Sequence, residues 1–128
     1  MTDHIDDLLH WVREAARGAD EKKADDTIIV DVGDALAVTD YFVITSGTNP
    51  RQVRAIVDGV EAWLKERGGP SPVRTEGAEQ REWVLLDYGA FVVHVFNAEQ
   101  RSFYQLERLW SDRPRVAWEP TEQAAGSG

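Results

Sequence analysis

The chain has 128 residues, 42% of them hydrophobic and 29% charged, and no cysteine. That is enough for one domain around one core, and it excludes disulfides, thiolate metal sites and cysteine nucleophiles. The formal charge of −9 opposes binding to phosphate backbones, which relies on clustered Lys and Arg, and either suits a basic protein partner or simply keeps a small protein soluble.

Charge is unevenly spread: residues 1–34 carry ten acids against four bases. No apolar run reaches the roughly 20 residues that span a bilayer. The start, Met1-Thr2-Asp3-His4-Ile5-Asp6-Asp7, is acidic where a signal peptide is basic and then apolar. A cytoplasmic protein with no membrane partner is expected.

In chain order, Ile5, Leu8, Leu9, Val12, Ala15 and Ala16 recur at spacings of three and four, which predicts an amphipathic first helix ending near Gly18. Trp11 falls at its core rim. Thr27–Val32 is short, β-branched and nearly all apolar, as a buried strand is. Gly33-Asp34 breaks it, and Tyr41–Thr45 gives a second strand. Asn49 can then cap a helix, with Pro50 at its first position and Gln52 at the capping-box position. Its stripe is Val53, Ile56, Val57, Val60 and Leu64, and Gly68-Gly69-Pro70 stops it. Pro72–Glu76 suits an edge strand. Glu82–Asp87 and Phe91–Phe96 around Tyr88-Gly89-Ala90 predict a hairpin. A last helix runs from Asn97 to about Trp110, with Phe103, Leu106 and Trp110 facing the core. Arg101, Tyr104, Glu107 and Arg108 flank that stripe. The domain is expected to span residues 1–112, and residues 113–128 to form a disordered tail. The fold class is α/β, a mixed five-stranded sheet with helices packed against it.

Alternation along the hairpin separates its two faces. Val84, Leu86, Tyr88, Phe91, Val93 and Val95 form an apolar face that must meet the core. Trp83, Leu85, Asp87, Val92, His94 and Phe96 form the other, with Leu85 opposite His94 and Trp83 opposite Phe96. This second set is too apolar for a solvated face, yet Asp87 and His94 suit a dry core poorly. Two readings stand: a partner-binding surface rich in aromatics, or a face covered by a helix, with Asp87 in the turn and His94 hydrogen-bonded.

An active site is not visible in the sequence. His4 and His10 point different ways on one helix and His94 is remote, so no histidine metal cluster is indicated. Asp6-Asp7, Asp25-Asp26 and the spaced Asp31 and Asp34 read as surface charge. Thr45–Asn49 lacks the lysine of a phosphate loop, and Ser46 and Ser102 lack a histidine partner. No catalytic residue, metal or cofactor is expected, and the function is read as binding.

The string Asp40-Tyr41-Phe42-Val43-Ile44-Thr45-Ser46-Gly47-Thr48, followed by Arg51–Ile56, resembles the signature of the ribosomal silencing factor family, also called Iojap. So do Glu82–Gly89, Val92–Phe96 and Arg101–Trp110, and the resemblance runs from Leu8 to Trp110. It implies a nucleotidyltransferase-like fold without that activity. It also implies binding to the large ribosomal subunit through large-subunit ribosomal protein fourteen. Family members there block subunit joining and repress translation when nutrients are short; they make little direct RNA contact and can be homodimers when free. The family's partner-facing region selects Trp83, Asp87, Tyr88, His94, Arg101, Tyr104 and Glu107 here, although alternation turns Tyr88 inward. The alternatives are a nucleotidyltransferase-type enzyme, which needs converging carboxylates on a metal-bound triphosphate, and a large-subunit assembly factor.

Overall fold

The computed structural model describes residues 4–33 and 35–119, with backbone only for residues 4–6. The expected contributions of Ile5, His4, Asp6, Asp34 and the chain after Glu119 lie outside the described side chains. Helix α1 (His4–Glu21) leads into strands β1 (Asp25–Asp31) and β2 (Tyr41–Gly47), and helix α2 (Pro50–Glu66) follows. Strands β3 (Arg74–Glu76), β4 (Trp83–Asp87) and β5 (Phe91–Asn97) come next. Two short helices, α3 (Ala98–Tyr104) and α4 (Leu106–Leu109), and strand β6 (Arg115–Val116) complete the chain. The sheet order is β3-β4-β5-β2-β1-β6. Among the described residues only the β2–β5 pair is parallel, so the sheet is mixed. No helix is long and apolar enough to cross a membrane among the described residues.

The α2 boundary follows from its capping residues. Asn49 Oδ1 accepts from the Gln52 amide at 2.9 Å, and the Gln52 side chain accepts in return from the Thr48 amide at 2.7 Å, which satisfies helix-start donors that have no intrahelical partner. Helix α1 continues past Gly18 to Glu21. Gly18 is instead where α2 comes close: a Cβ there would lie 2.9 Å from Trp63 Cβ and 3.2 Å from Val60 Cα. At this crossing buried Glu14 accepts from Trp63 Nε1 at 2.7 Å and from Arg17 at 2.8 Å. Burial pushes the Glu14 carboxyl up, but these hydrogen bonds outweigh it and leave it below its ordinary value.

The sheet buries both faces. On one, α1 and α2 enclose Ile29, Val43, Val84, Leu86, Tyr88, Phe91, Val93 and Val95, which includes the whole expected core face of the hairpin. On the other, Val30, Val32, Phe42, Ile44 and Phe96 form a smaller core, over which Leu106 and Trp110 pack.

Two expectations at the C-terminus need correction. The sheet has six strands rather than five, and the chain from Arg113 to Glu119 is a strap on the fold rather than the start of a disordered tail. β6 pairs antiparallel with β1, Ile29 opposite Val116. Trp118 is buried in the main core and donates from Nε1 to the Thr27 carbonyl at 2.8 Å. Arg13 and Arg17 of α1 donate to the carbonyls of Ala117 and Trp118. Prolines and a polar end suggested disorder, but one tryptophan with a buried partner outweighs that composition.

Candidate functional site

The site is built on the second face of the hairpin. Tyr88 donates its amide to the Phe91 carbonyl at 2.9 Å, closing a two-residue turn in which Gly89 takes φ +87, the positive value such hairpin turns require. That turn sets the register, with Trp83 opposite Phe96 and Leu85 opposite His94. Trp83 stacks on Phe96, ring centroids 4.7 Å apart, and meets Tyr104 of α3 at 5.0 Å. Phe103 packs edge-on to Tyr104 at 5.0 Å. Phe42 of β2 contacts His94 at 4.5 Å and Trp110 at 5.7 Å. The result is a continuous aromatic surface across β2, β4, β5, α3 and the residue after α4.

Its α3 end faces solvent: Phe103 is 79% exposed and Tyr104 52%, while Trp83, Leu85 and Val92 are half-buried and Phe42, His94 and Phe96 are buried; Leu109 of α4 is separately exposed. A cluster of large apolar side chains left open in this way is the usual mark of an interaction surface.

The expected site residues fall into three groups. Trp83 and Tyr104 lie in this cluster, and half-buried Glu107 on α4 is paired instead with Arg101 at 3.2 Å. Tyr88 does not join them: it is buried on the opposite face of the sheet, stacked on Phe91 at 4.7 Å. Burial, with Glu61 nearby, pushes its phenol well up. The other three hold the fold. Asp87 accepts from the Gly89 amide at 2.8 Å and from Arg74 at 3.3 Å, so its carboxylate braces the turn. Arg101 is buried and donates to Glu107 at 3.2 Å, the Asp25 carbonyl at 3.1 Å and Ser46 Oγ at 3.2 Å. It fastens α3 to the ends of β1 and β2.

His94 is 4% exposed. Trp83 Nε1 donates to its Nδ1 at 3.0 Å, which fixes a neutral ring with the proton on Nε2. Burial lowers its pKa to about 4. His94 Nε2, Trp110 Nε1 and Glu107 Oε1 are buried without a hydrogen-bond partner among the described residues. Each such group costs on the order of 1–3 kcal/mol. A neutral, enclosed imidazole cannot reach a substrate, so the arrangement offers apolar contact and not acid–base chemistry. Among the described residues no group of three or more His, Asp or Glu is placed to hold a metal ion.

Helical periodicity had assigned Phe103 to the core stripe with Leu106 and Trp110. The last helix is instead broken at Gln105, which adopts φ 50, ψ 50, the left-handed region. The break turns Phe103 and Leu109 outward while Leu106 and Trp110 stay packed. Gly or Asn would have signalled it; Gln gives no such cue.

Residues 5–127 match the family model described as ribosomal silencing factor during starvation. A Bacillus subtilis protein called ribosomal silencing factor RsfS is 40% identical over 100 residues, covering 78% of this chain and 84% of that protein. The mouse protein called mitochondrial assembly of ribosomal large subunit protein 1 is 36% identical over 96 residues, covering 73% of this chain and 42% of its own. The crystal structure of a Chromobacterium violaceum protein superposes with a TM-score of 0.76 at 33% identity, over 80% of this chain and 85% of that one.

Proposed function

The chain belongs to the ribosomal silencing factor family, and on that premise we propose that it silences ribosomes by binding the large subunit in the cytoplasm. The contact is large-subunit ribosomal protein fourteen, at the face where the small subunit joins. Occupying it blocks joining and lowers translation when nutrients are short. The chain works by affinity and bulk, without turnover, and pairs with a second copy when free. The observation that carries this reading is the exposed aromatic pair Phe103 and Tyr104, backed by half-buried Trp83, on a chain of charge −9. Apolar anchors supply the affinity, and negative charge favours a basic ribosomal protein over RNA.

Sedimentation with isolated subunits tests it. The purified chain is expected to travel with large subunits and to inhibit their joining to small ones. Phe103→Ala and Tyr104→Ala should each weaken binding by about 2 kcal/mol, the size of an interface hot spot. Both side chains are exposed, so neither variant should disturb the fold. Folded variants that bind normally would overturn the assigned surface. Trp83→Ala is a poorer probe, because Trp83 also holds His94.

The name of the mouse relative favours a second reading, an assembly factor for large-subunit precursors. Tighter binding to immature than to mature particles would select it. A nucleotidyltransferase-type enzyme would instead bind a magnesium nucleotide, which calorimetry would detect.

A further inference from the structure

The α3–α4 segment joins two observations that do not fit one fixed shape. Its sequence carries one continuous amphipathic pattern, with Phe103, Leu106 and Trp110 at i, i+3 and i+7. Its structure breaks that pattern at Gln105, a residue with a full side chain in the left-handed region. Beyond the break α4 is four residues long and buries none of them. Trp110, the residue after α4, and His94, joined to it through Phe42, carry the unpartnered Nε1 and Nε2.

The ion pair Arg101–Glu107, at 3.2 Å, exists only because of the break. Residues six apart in a continuous helix lie about 120° apart around the axis and roughly 9 Å apart along it. Straightening the segment must therefore separate them.

We propose that α3–α4 is a two-state hinge: a kinked form latched by Arg101–Glu107, and a straight helix in which Phe103, Leu106 and Trp110 form one exposed stripe. The kinked form gains the ion pair and the packing of Leu106 and Trp110 on the minor core. The straight form relieves the left-handed residue and the buried orphan groups, and it becomes dominant when an apolar surface covers the stripe. The use of this stripe by the ribosomal partner rests on the binding reading above; the hinge itself does not.

The chain has no cysteine, so two introduced thiols can be labelled without interference. Arg108 on α4 and Lys65 on α2, both exposed, carry the pair in the double variant Arg108→Cys, Lys65→Cys of the full chain. Spin-label distance measurement on the free protein should show two separations. Adding Gln105→Gly should deplete the straight form by roughly five- to tenfold, because glycine is at ease in the left-handed region and is a poor helix former. Adding Glu107→Gln should enrich the straight form several-fold by weakening the latch. A single separation in all three backgrounds would overturn the hinge. So would a Gln105→Gly distribution that broadens, since that describes a floppy joint. With large subunits added, the straight separation should dominate. If the two forms exist but subunits leave them unchanged, the hinge stands and its use in binding is refuted.

Discussion

Two residues of the aromatic face show how the same burial can serve different ends. Arg101 is enclosed with three acceptors, one of them charged, so its charge is compensated and it acts as a fastening. His94 is enclosed with one donor, which occupies the lone pair of Nδ1, and an unpartnered Nε2, so desolvation drives its pKa down and no charged partner offsets it. The consequence is a stability that depends on pH. The folded pKa, about 4, lies below the ordinary 6.5, so the unfolded chain takes up the proton first. Stability from the neutral imidazole is complete above about pH 6.5 and is lost as pH falls toward 4, by about 3 kcal/mol in all. Glu14, whose carboxyl is lowered, adds a loss only below the carboxylate range, whereas Glu61, raised by burial and by Asp58, works the other way. Urea unfolding between pH 7 and 5, compared with the His94→Gln variant, cancels the opposing contribution of Glu61 and leaves that of the histidine. In His94→Gln the slope over that interval should flatten, whatever the variant's absolute stability, because glutamine can accept from Trp83 without titrating. An unchanged slope would place the acid sensitivity elsewhere.

At the scale of elements, the C-terminal strap decides how much of the chain the fold needs. β6 is two residues long and contributes little pairing by itself, but it delivers Trp118 between α1 and β1, where both its ring and its Nε1 are used. Trp118→Ala should cost about 3–5 kcal/mol, as removal of a large buried aromatic does, measured as a shift of the denaturation midpoint at unchanged slope. A loss below about 1 kcal/mol would mean that the strap is ornamental. Sequence reasoning missed this element because its signal is one tryptophan between two prolines, Pro114 and Pro120, with no periodicity to read. It succeeded where periodicity and turn chemistry agree. Asn49-Pro50 fixes the start of α2, and the alternation around Gly89 gives both faces and the register of the hairpin. The site was legible in part for the same reason: Trp83 was found from alternation across the strand. Phe103 was misplaced because a helical period cannot foresee a left-handed glutamine. Asp87 braces the turn and His94 is hydrogen-bonded to Trp83, as the reading of a covered face has them, whereas the resemblance names both as partner-facing.

Over the whole molecule, charge and apolar surface divide the binding problem between them. A chain of charge −9 approaching a ribosome meets repulsion from RNA at long range and attraction from basic proteins close by. At physiological salt the screening length is about 8 Å, so charges bordering the contact matter and distant phosphates largely do not. Exposed acidic side chains such as Glu82, next to Trp83 in the chain, and Glu99, on α3 with Phe103 and Tyr104, in contact with a basic protein speed encounter more than they slow departure. The aromatic anchors act in the opposite way: once seated, Phe103 and Tyr104 lose water-exposed area whose burial salt barely alters. Raising salt from 0.1 to 0.5 M should therefore reduce the association rate with large subunits several-fold while leaving the dissociation rate within about twofold. Phe103→Ala should raise the dissociation rate and keep the same salt slope. Surface-immobilised subunits and stopped-flow mixing measure both rates. An association rate that rises with salt would mean that repulsion from RNA governs the approach, and the acidic surface would then have to be read as a determinant of solubility rather than of partner choice.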